Sequence, residues 1–217
     1  ATLMEVLVAM TISLVATAAM IAMMSNSLGT TARIIKMTKL TDDMRVALQM
    51  MTRDVRRSSY NANSMFCYAN ENCATDGSGI SLPADVAIAD TNDCFTFLTD
   101  RDHDGDSTEN AAGGFRRVTD GDIGVIEMWT GDNAPDCTDA AGAAGWVEIT
   151  NPDNMDIFAF NVDDNLSYNQ VILDNGTDTV SQRIRKIRMN IQGRLVIDNT
   201  IVREVEDVIN VRNDLLL

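Results

Sequence analysis

Glu5 is the residue whose setting asks for an explanation. It stands immediately before residues 6–24, VLVAMTISLVATAAMIAMM, a run with no charge, Gly or Pro. A carboxylate at the edge of hydrocarbon is costly to bury without a partner, and an ordinary membrane anchor has no use for one. The free α-amino group of Ala1 is a natural partner, and in a helix starting here the macrodipole favours negative charge in the first turn. Between chains, the amine of one copy paired with Glu5 of the next would fix the axial register of packed helices. A buried ion pair of this kind is better understood as specifying register than as adding stability. The chain begins at Ala1 rather than at Met, as expected of a processed or truncated N-terminus.

The second chemical motif is Asp100-Arg101-Asp102-His103-Asp104-Gly105-Asp106. Carboxylates at alternate positions followed by Gly allow a turn that points oxygens at one hard cation such as Ca2+. Asp100, Asp102 and Asp104 would donate side chains and Asp106 its backbone carbonyl. An EF-hand needs a Glu at the twelfth position, where this chain has Ala111; Glu109 lies two residues short and suits a loop of another type. The competing reading is a solvated acidic hairpin.

Cys67, Cys73, Cys94 and Cys137 contain no CxxC, and His103 is the sole histidine, which argues against zinc. An even number at wide spacing suits two disulfides in an oxidising compartment. Three connectivities are open; sequential pairing, Cys67 with Cys73 and Cys94 with Cys137, is the expectation, with four buried thiols as the alternative. No Ser/His/Asp arrangement, phosphate-binding Gly-rich loop or singled-out carboxylate pair is present, so neither an enzyme nor an organic cofactor is expected. The formal charge of −15 argues against a nucleic-acid partner, which needs clustered Lys and Arg. Residues 1–59 hold no Phe, Tyr or Trp, which also argues against conduction through stacked rings.

The elements that must position these groups follow from periodicity. The run 6–24 is long enough to span about 30 Å of hydrocarbon and lacks the basic start of a cleavable secretory signal. Beyond Gly29, Met37, Leu40, Met44, Leu48, Met51 and Val55 recur every three or four residues, with Asp42, Asp43, Arg45, Arg53, Asp54 and Arg57 mostly between them. That is an amphipathic helix. One helix of about 80 Å is expected over residues 2–57, with Gly29 as a bend or unwound point. Its first half needs lipid or other helices; its second half lies against its own domain. The many Met residues suit irregular helix packing. Strands are expected at 94–98, 114–118, 123–130, 146–149, 156–162, 183–192 and 203–211, with a hairpin turn at Thr119-Asp120-Gly121-Asp122. Ile187, Met189 and Ile191 alternate with polar residues, giving one buried face. The fold class is α+β, a long N-terminal helix packed on a mostly antiparallel sheet. The domains read as a transmembrane or filament-core helix at 1–28, its amphipathic continuation at 29–59, and a β-rich head at 60–217.

Ala1-Thr2-Leu3-Met4-Glu5-Val6-Leu7-Val8-Ala9 resembles the mature N-terminus of type IV pilins and pseudopilins. Thr2, Leu3 and Glu5 match the family pattern; Ala1 departs from the usual Phe or Met. Met44 to Arg56, with its Arg53-Asp54-Val55-Arg56, is similar to the helix of W-type minor pilins and J-type minor pseudopilins, as are Cys94-Phe95-Thr96-Phe97 and Ile184-Arg185-Lys186-Ile187-Arg188. The resemblance implies cleavage by a prepilin peptidase, N-methylation of residue 1, insertion in the inner membrane, and assembly with copies of itself and other pilins into a filament. Ala1, Thr2, Leu3 and Glu5 would be the assembly residues. Adhesion and protein secretion are among the roles such filaments serve, and calcium sites occur among their heads. The pairing of cysteines near the C-terminus common in major pilins is missing, since the last cysteine is Cys137. A rival of another class is a membrane-anchored periplasmic binding module that never polymerises.

Overall fold

In the computed structural model, residues 2–58, 60, 86–99, 112–174, 179–211 and 215–216 are described. The chain divides into two compact units, Ala1–Lys39 and Leu40–Leu217.

The first helix, α1, covers Leu3–Arg57 and stays helical through Gly29, where a bend or unwound point was expected. A single Gly in a helix interior costs only about 1 kcal/mol relative to Ala, too little by itself to end a helix of 55 residues. In the first unit every described residue of α1 except Met37 is exposed. In the second unit Leu40, Met44, Ala47, Leu48, Met51 and Val55 are buried. Their three- and four-residue spacing makes one stripe, which is the pattern the sequence predicts.

That stripe packs on a head in which the described residues form eleven strands: β1 (Ala87–Ile88), β2 (Cys94–Leu98), β3 (Ala112–Asp120), β4 (Ile123–Trp129), β5 (Trp146–Glu148), β6 (Met155–Asp163), β7 (Tyr168–Asp174), β8 (Thr179–Ile184), β9 (Lys186–Leu195), β10 (Asp198–Asn210) and β11 (Leu215–Leu216). They form three sheets, ordered β1-β2-β3-β4-β5, β10-β9-β6 and β11-β8-β7. Every pairing is antiparallel. The fold is α+β, as the periodicities imply.

The hairpin β3–β4 turns through Gly121 and Asp122. Of these two only Gly121 has a positive φ, 60°, the pattern of a II′ turn, whose first central position favours Gly. The strand expected over 183–192 is two strands, β8 and β9, broken at Arg185. Alternation points Arg185 inward with Ile187, Met189 and Ile191, and all four are buried. At that point the chain leaves one sheet for another, and the Arg185 carbonyl accepts the Val211 amide instead of a ladder bond. Strand β7 escaped the sequence reading, because its polar, exposed start has no apolar alternation to mark it.

Aromatic rings pack between the first two sheets: Phe95 lies 5.5 Å from Phe115 and 6.4 Å from Phe160 on β6. Asp156 joins the first two sheets. It is buried, accepts the Gly124 amide at 2.8 Å and takes Arg194 at 2.7 Å. Arg117 adds a bond of 2.6 Å to the Ile157 carbonyl. On β9, Gly193 faces the buried stripe of α1: a Cβ there would lie 3.1 Å from Met44 Sδ and 3.0 Å from Ile157 Cδ1. The missing side chain lets the helix approach the sheet.

Candidate functional site

The first candidate site is the N-terminal part of α1. Thr2 precedes the helix, and Glu5 sits in its first turn. The Glu5 side chain accepts the Thr2 backbone N–H at 3.0 Å and the Thr2 hydroxyl at 3.5 Å. This is the Glu half of a capping box, which satisfies an amide that the helix cannot. Within a single chain Glu5 therefore has a partner that sequence reasoning missed, although Thr-x-x-Glu is the signature of such a cap. Ala1, whose amine was expected to pair with Glu5, lies outside the described residues.

Behind this cap the apolar side chains point outward on all sides. Leu3 is 79% exposed, and Val6, Leu7, Ile12, Leu14, Val15, Met20, Ile21 and Met24 are also exposed. The few polar side chains fold back on the helix. Thr11 donates to the Val8 carbonyl at 2.8 Å, Ser13 to Met10 at 3.1 Å, and Thr17 to Ser13 at 2.9 Å. With its backbone paired internally and its hydroxyls satisfied, this segment offers its surroundings an apolar surface without orphaned donors. The helix is long and apolar enough to cross a membrane. Such a surface can bind lipid or other helices, and it fits membrane anchoring.

The second candidate is a polar cluster under residues 131–145. Arg116 on β3 and Glu127 on β4 face each other in the hairpin register, and neither side chain reaches solvent. Arg116 donates to Glu127 Oε2 from Nε at 2.9 Å and from Nη2 at 2.8 Å. Its remaining donors turn to main-chain carbonyls: Nη1 to Asp139 at 2.7 Å, with longer bonds to Asp136 and Cys137, and Nη2 to Ala140 at 2.8 Å. Glu127 Oε1 accepts the Gly142 amide at 2.7 Å. The guanidinium lies 4.1 Å from the centroid of the Trp146 ring. A loop of small residues thus closes around a buried guanidinium, whose fixed fork of donors suits several oxygens at once.

Three further contacts hold the loop. Cys94 and Cys137 form a disulfide with a Cα separation of 6.0 Å, tying the loop to β2. Trp129 Nε1 donates to the Asn133 carbonyl at 2.8 Å and packs edge-on against Trp146 at 5.3 Å. Gly145, with φ of 94°, leaves room for the Trp129 ring. On the outside, the amide and hydroxyl of Thr138 both donate to Asp136, holding that exposed carboxyl below its ordinary pKa. The arrangement ties residues 131–145 to the β3–β4 hairpin and to β2.

Thr2, Leu3 and Glu5 lie together on the exposed helix start, and the Cys94–Cys137 pairing is present. Asp100, Asp102, Asp104, Asp106 and Glu109, and the Cys67–Cys73 pairing, lie outside the described residues. Among the described residues no group of three or more His, Cys, Asp or Glu could hold a metal. The Arg116–Glu127 pair was not anticipated; the Gly121-Asp122 turn fixes a register that sets the two opposite each other.

A family model described as prepilin peptidase-dependent protein B matches residues 33–211. The match begins after the apolar run, so it is independent of the Thr2-Leu3-Glu5 motif. No curated protein and no solved structure matches the chain.

Proposed function

We propose, from the premise that this chain belongs to the prepilin peptidase-dependent protein B family, that it is a structural subunit of a type IV pilus or related bacterial filament. The family carries a pilin-like or pseudopilin role and a link to the prepilin peptidase and pilus assembly. The observation that carries the finer reading is the exposed apolar surface of α1 over residues 3–24, headed by Glu5. Such a surface is stable only against lipid or against other helices. One element then serves as inner-membrane anchor before assembly and as filament core afterwards, with Glu5 setting register and the acidic head outside. In this reading the partners are copies of the chain and other pilins, and the role is structural rather than catalytic. A Ca2+ ion at Asp100, Asp102, Asp104, Asp106 and Glu109 belongs to the same proposal and rests on the spacing of those residues alone.

A second version is a low-copy subunit that primes assembly or sits at the tip of a pilus or secretion pseudopilus. The similarity of Met44–Arg56 to W-type and J-type subunits favours it. The deciding experiment is the copy number of this chain in filaments sheared from cells, by imaging and quantitative mass spectrometry of one fraction. A dominant chain is the major subunit; a trace component is a priming or tip subunit. Absence from all filaments would overturn both and leave the anchored module.

A further inference from the structure

The charges of this chain are divided by segment. Residues 33–57 carry seven basic and three acidic side chains, whereas residues 58–217 carry ten basic and twenty-eight acidic ones. The head also engages its own cations. Arg116 pairs with Glu127, Arg183 with Asp164, and Arg194 with Asp156, while Arg117 is bonded to the Ile157 carbonyl. What the head presents outward is therefore strongly negative.

The second half of α1 is the opposite. Arg45, Arg53, Arg56 and Arg57 line one groove of about 660 Å3 between the helix and β10. Successive three- and four-residue steps, with Gln49 and Thr52 between them, keep this row on one side of the helix. All four arginines are exposed. Arg53 touches Asp54, its sequence neighbour, at 3.1 Å. Arg45, Arg56 and Arg57 meet no carboxylate among the described residues. The two acids in the groove are engaged elsewhere. Asp207 accepts the Thr52 hydroxyl and the Val208 amide, and Glu206 accepts from Asn190 and lies 3.7 Å from Arg188.

We propose that this arginine groove is a docking surface for the acidic head of a second copy of the chain. Charge complementarity carries the argument: in a chain of net charge −15, Arg45, Arg56 and Arg57 stand on one side of α1 without a carboxylate partner among the described residues, while the excess acid lies on the head. Like-charged heads packed side by side repel, and a cationic strip between them removes that penalty and selects one orientation. Arginine suits the task because its fork engages carboxylates in a bidentate way. The inference rests on the reading that copies of this chain assemble together.

The test uses the full chain in detergent micelles, as a mixture of isotopically light and heavy copies. Arg56→Lys keeps the charge and supplies an amine for zero-length carbodiimide coupling. The expected result is coupling of position 56 to head carboxylates in light–heavy pairs at about 0.05 M salt and its loss at about 0.5 M, where screening is short-ranged. Adding Arg45→Glu, Arg53→Glu and Arg57→Glu is expected to abolish the light–heavy product, while the melting temperature shows that the fold is kept. Coupling confined to single chains, or light–heavy coupling indifferent to salt and to charge reversal, overturns the proposal. Filament content separates the two readings. A chain present in filaments but without these cross-links loses only the groove; cross-links from a chain absent from filaments leave the groove standing and remove the filament role.

Discussion

Arg116 and Glu127 oppose each other across the β3–β4 hairpin, fully buried, and the same guanidinium gathers carbonyls from residues 136–140. A pair at such depth is stable only as long as every member is satisfied. Removing one partner strands the other charge, at a cost of about 3–5 kcal/mol. Glu127→Leu is therefore expected to destabilise the protein by that order, measured by chemical denaturation. Arg116→Met with Glu127→Leu is expected to cost less than the sum of the two single changes, because no lone charge is left buried. Additive costs would mean that the two side chains act independently.

The Cys94–Cys137 bridge spans a sequence separation of 43. Chain-entropy arithmetic for a loop of that length gives a stabilisation of about 4 kcal/mol relative to the reduced unfolded chain. Replacing both residues, Cys94→Ala with Cys137→Ala, is expected to lower the denaturation midpoint accordingly. The loop is expected to stay in place in the folded state, because Arg116 and Trp129 hold it as well. A near-UV signal from Trp129 and Trp146 that survives the substitution would show this; its collapse would make the disulfide the sole fastener.

The contrast between the bridge and the clamp shows how legibility divides. The helix, the strand at 94–98, the turn at Gly121 and the buried alternation of β9 all carry local signals of period or turn type, and each is found where the pattern puts it. The Cys94–Cys137 pairing was one of three open connectivities, because pairing depends on where two distant segments meet. Arg116 and Arg185 look like surface residues in composition terms. Their burial follows from register and from sheet switching, which only the tertiary structure fixes. The arginine row on α1 was visible as charged positions, but that Arg45, Arg56 and Arg57 meet no carboxylate among the described residues depends on what β10 does with Glu206 and Asp207.

Gly193 tests the approach of α1 to the sheet. A side chain there meets Met44 and Ile157 at contact limits, and a branched residue exceeds what their flexible ends can yield. Gly193→Val is expected to cost about 1–3 kcal/mol through overpacking. Pairing it with Met44→Ala, which opens space directly opposite, is expected to recover part of that loss. A fully additive double variant would place the strain elsewhere.

The aspartate-rich segment makes a separate forecast. If Asp100, Asp102 and Asp104 converge on Ca2+, the ion binds the folded state and raises its melting temperature by mass action. The full chain in micelles is expected to melt higher in Ca2+ than in chelator, and Asp102→Asn with Asp104→Asn is expected to erase the difference. Equal melting of the unaltered chain in both buffers would leave the segment as a solvated acidic loop.

Glu5 has two separable capacities, and two substitutions tell them apart. As a cap it needs only an acceptor for the Thr2 amide, a bond of 3.0 Å; as a register device it needs negative charge for the amine of a neighbouring chain. Glu5→Gln keeps the acceptor and loses the charge, while Glu5→Ala loses both. Capping alone is worth about 0.5–2 kcal/mol to the helix, too little to abolish assembly driven by some twenty exposed apolar residues. If register depends on charge, both variants are expected to stay in the membrane fraction yet fail to enter sheared filaments. Normal incorporation of Glu5→Gln with failure of Glu5→Ala would show that assembly needs a hydrogen-bond acceptor at this position rather than its charge, and would overturn the register argument. Normal incorporation of both would remove Glu5 from assembly altogether.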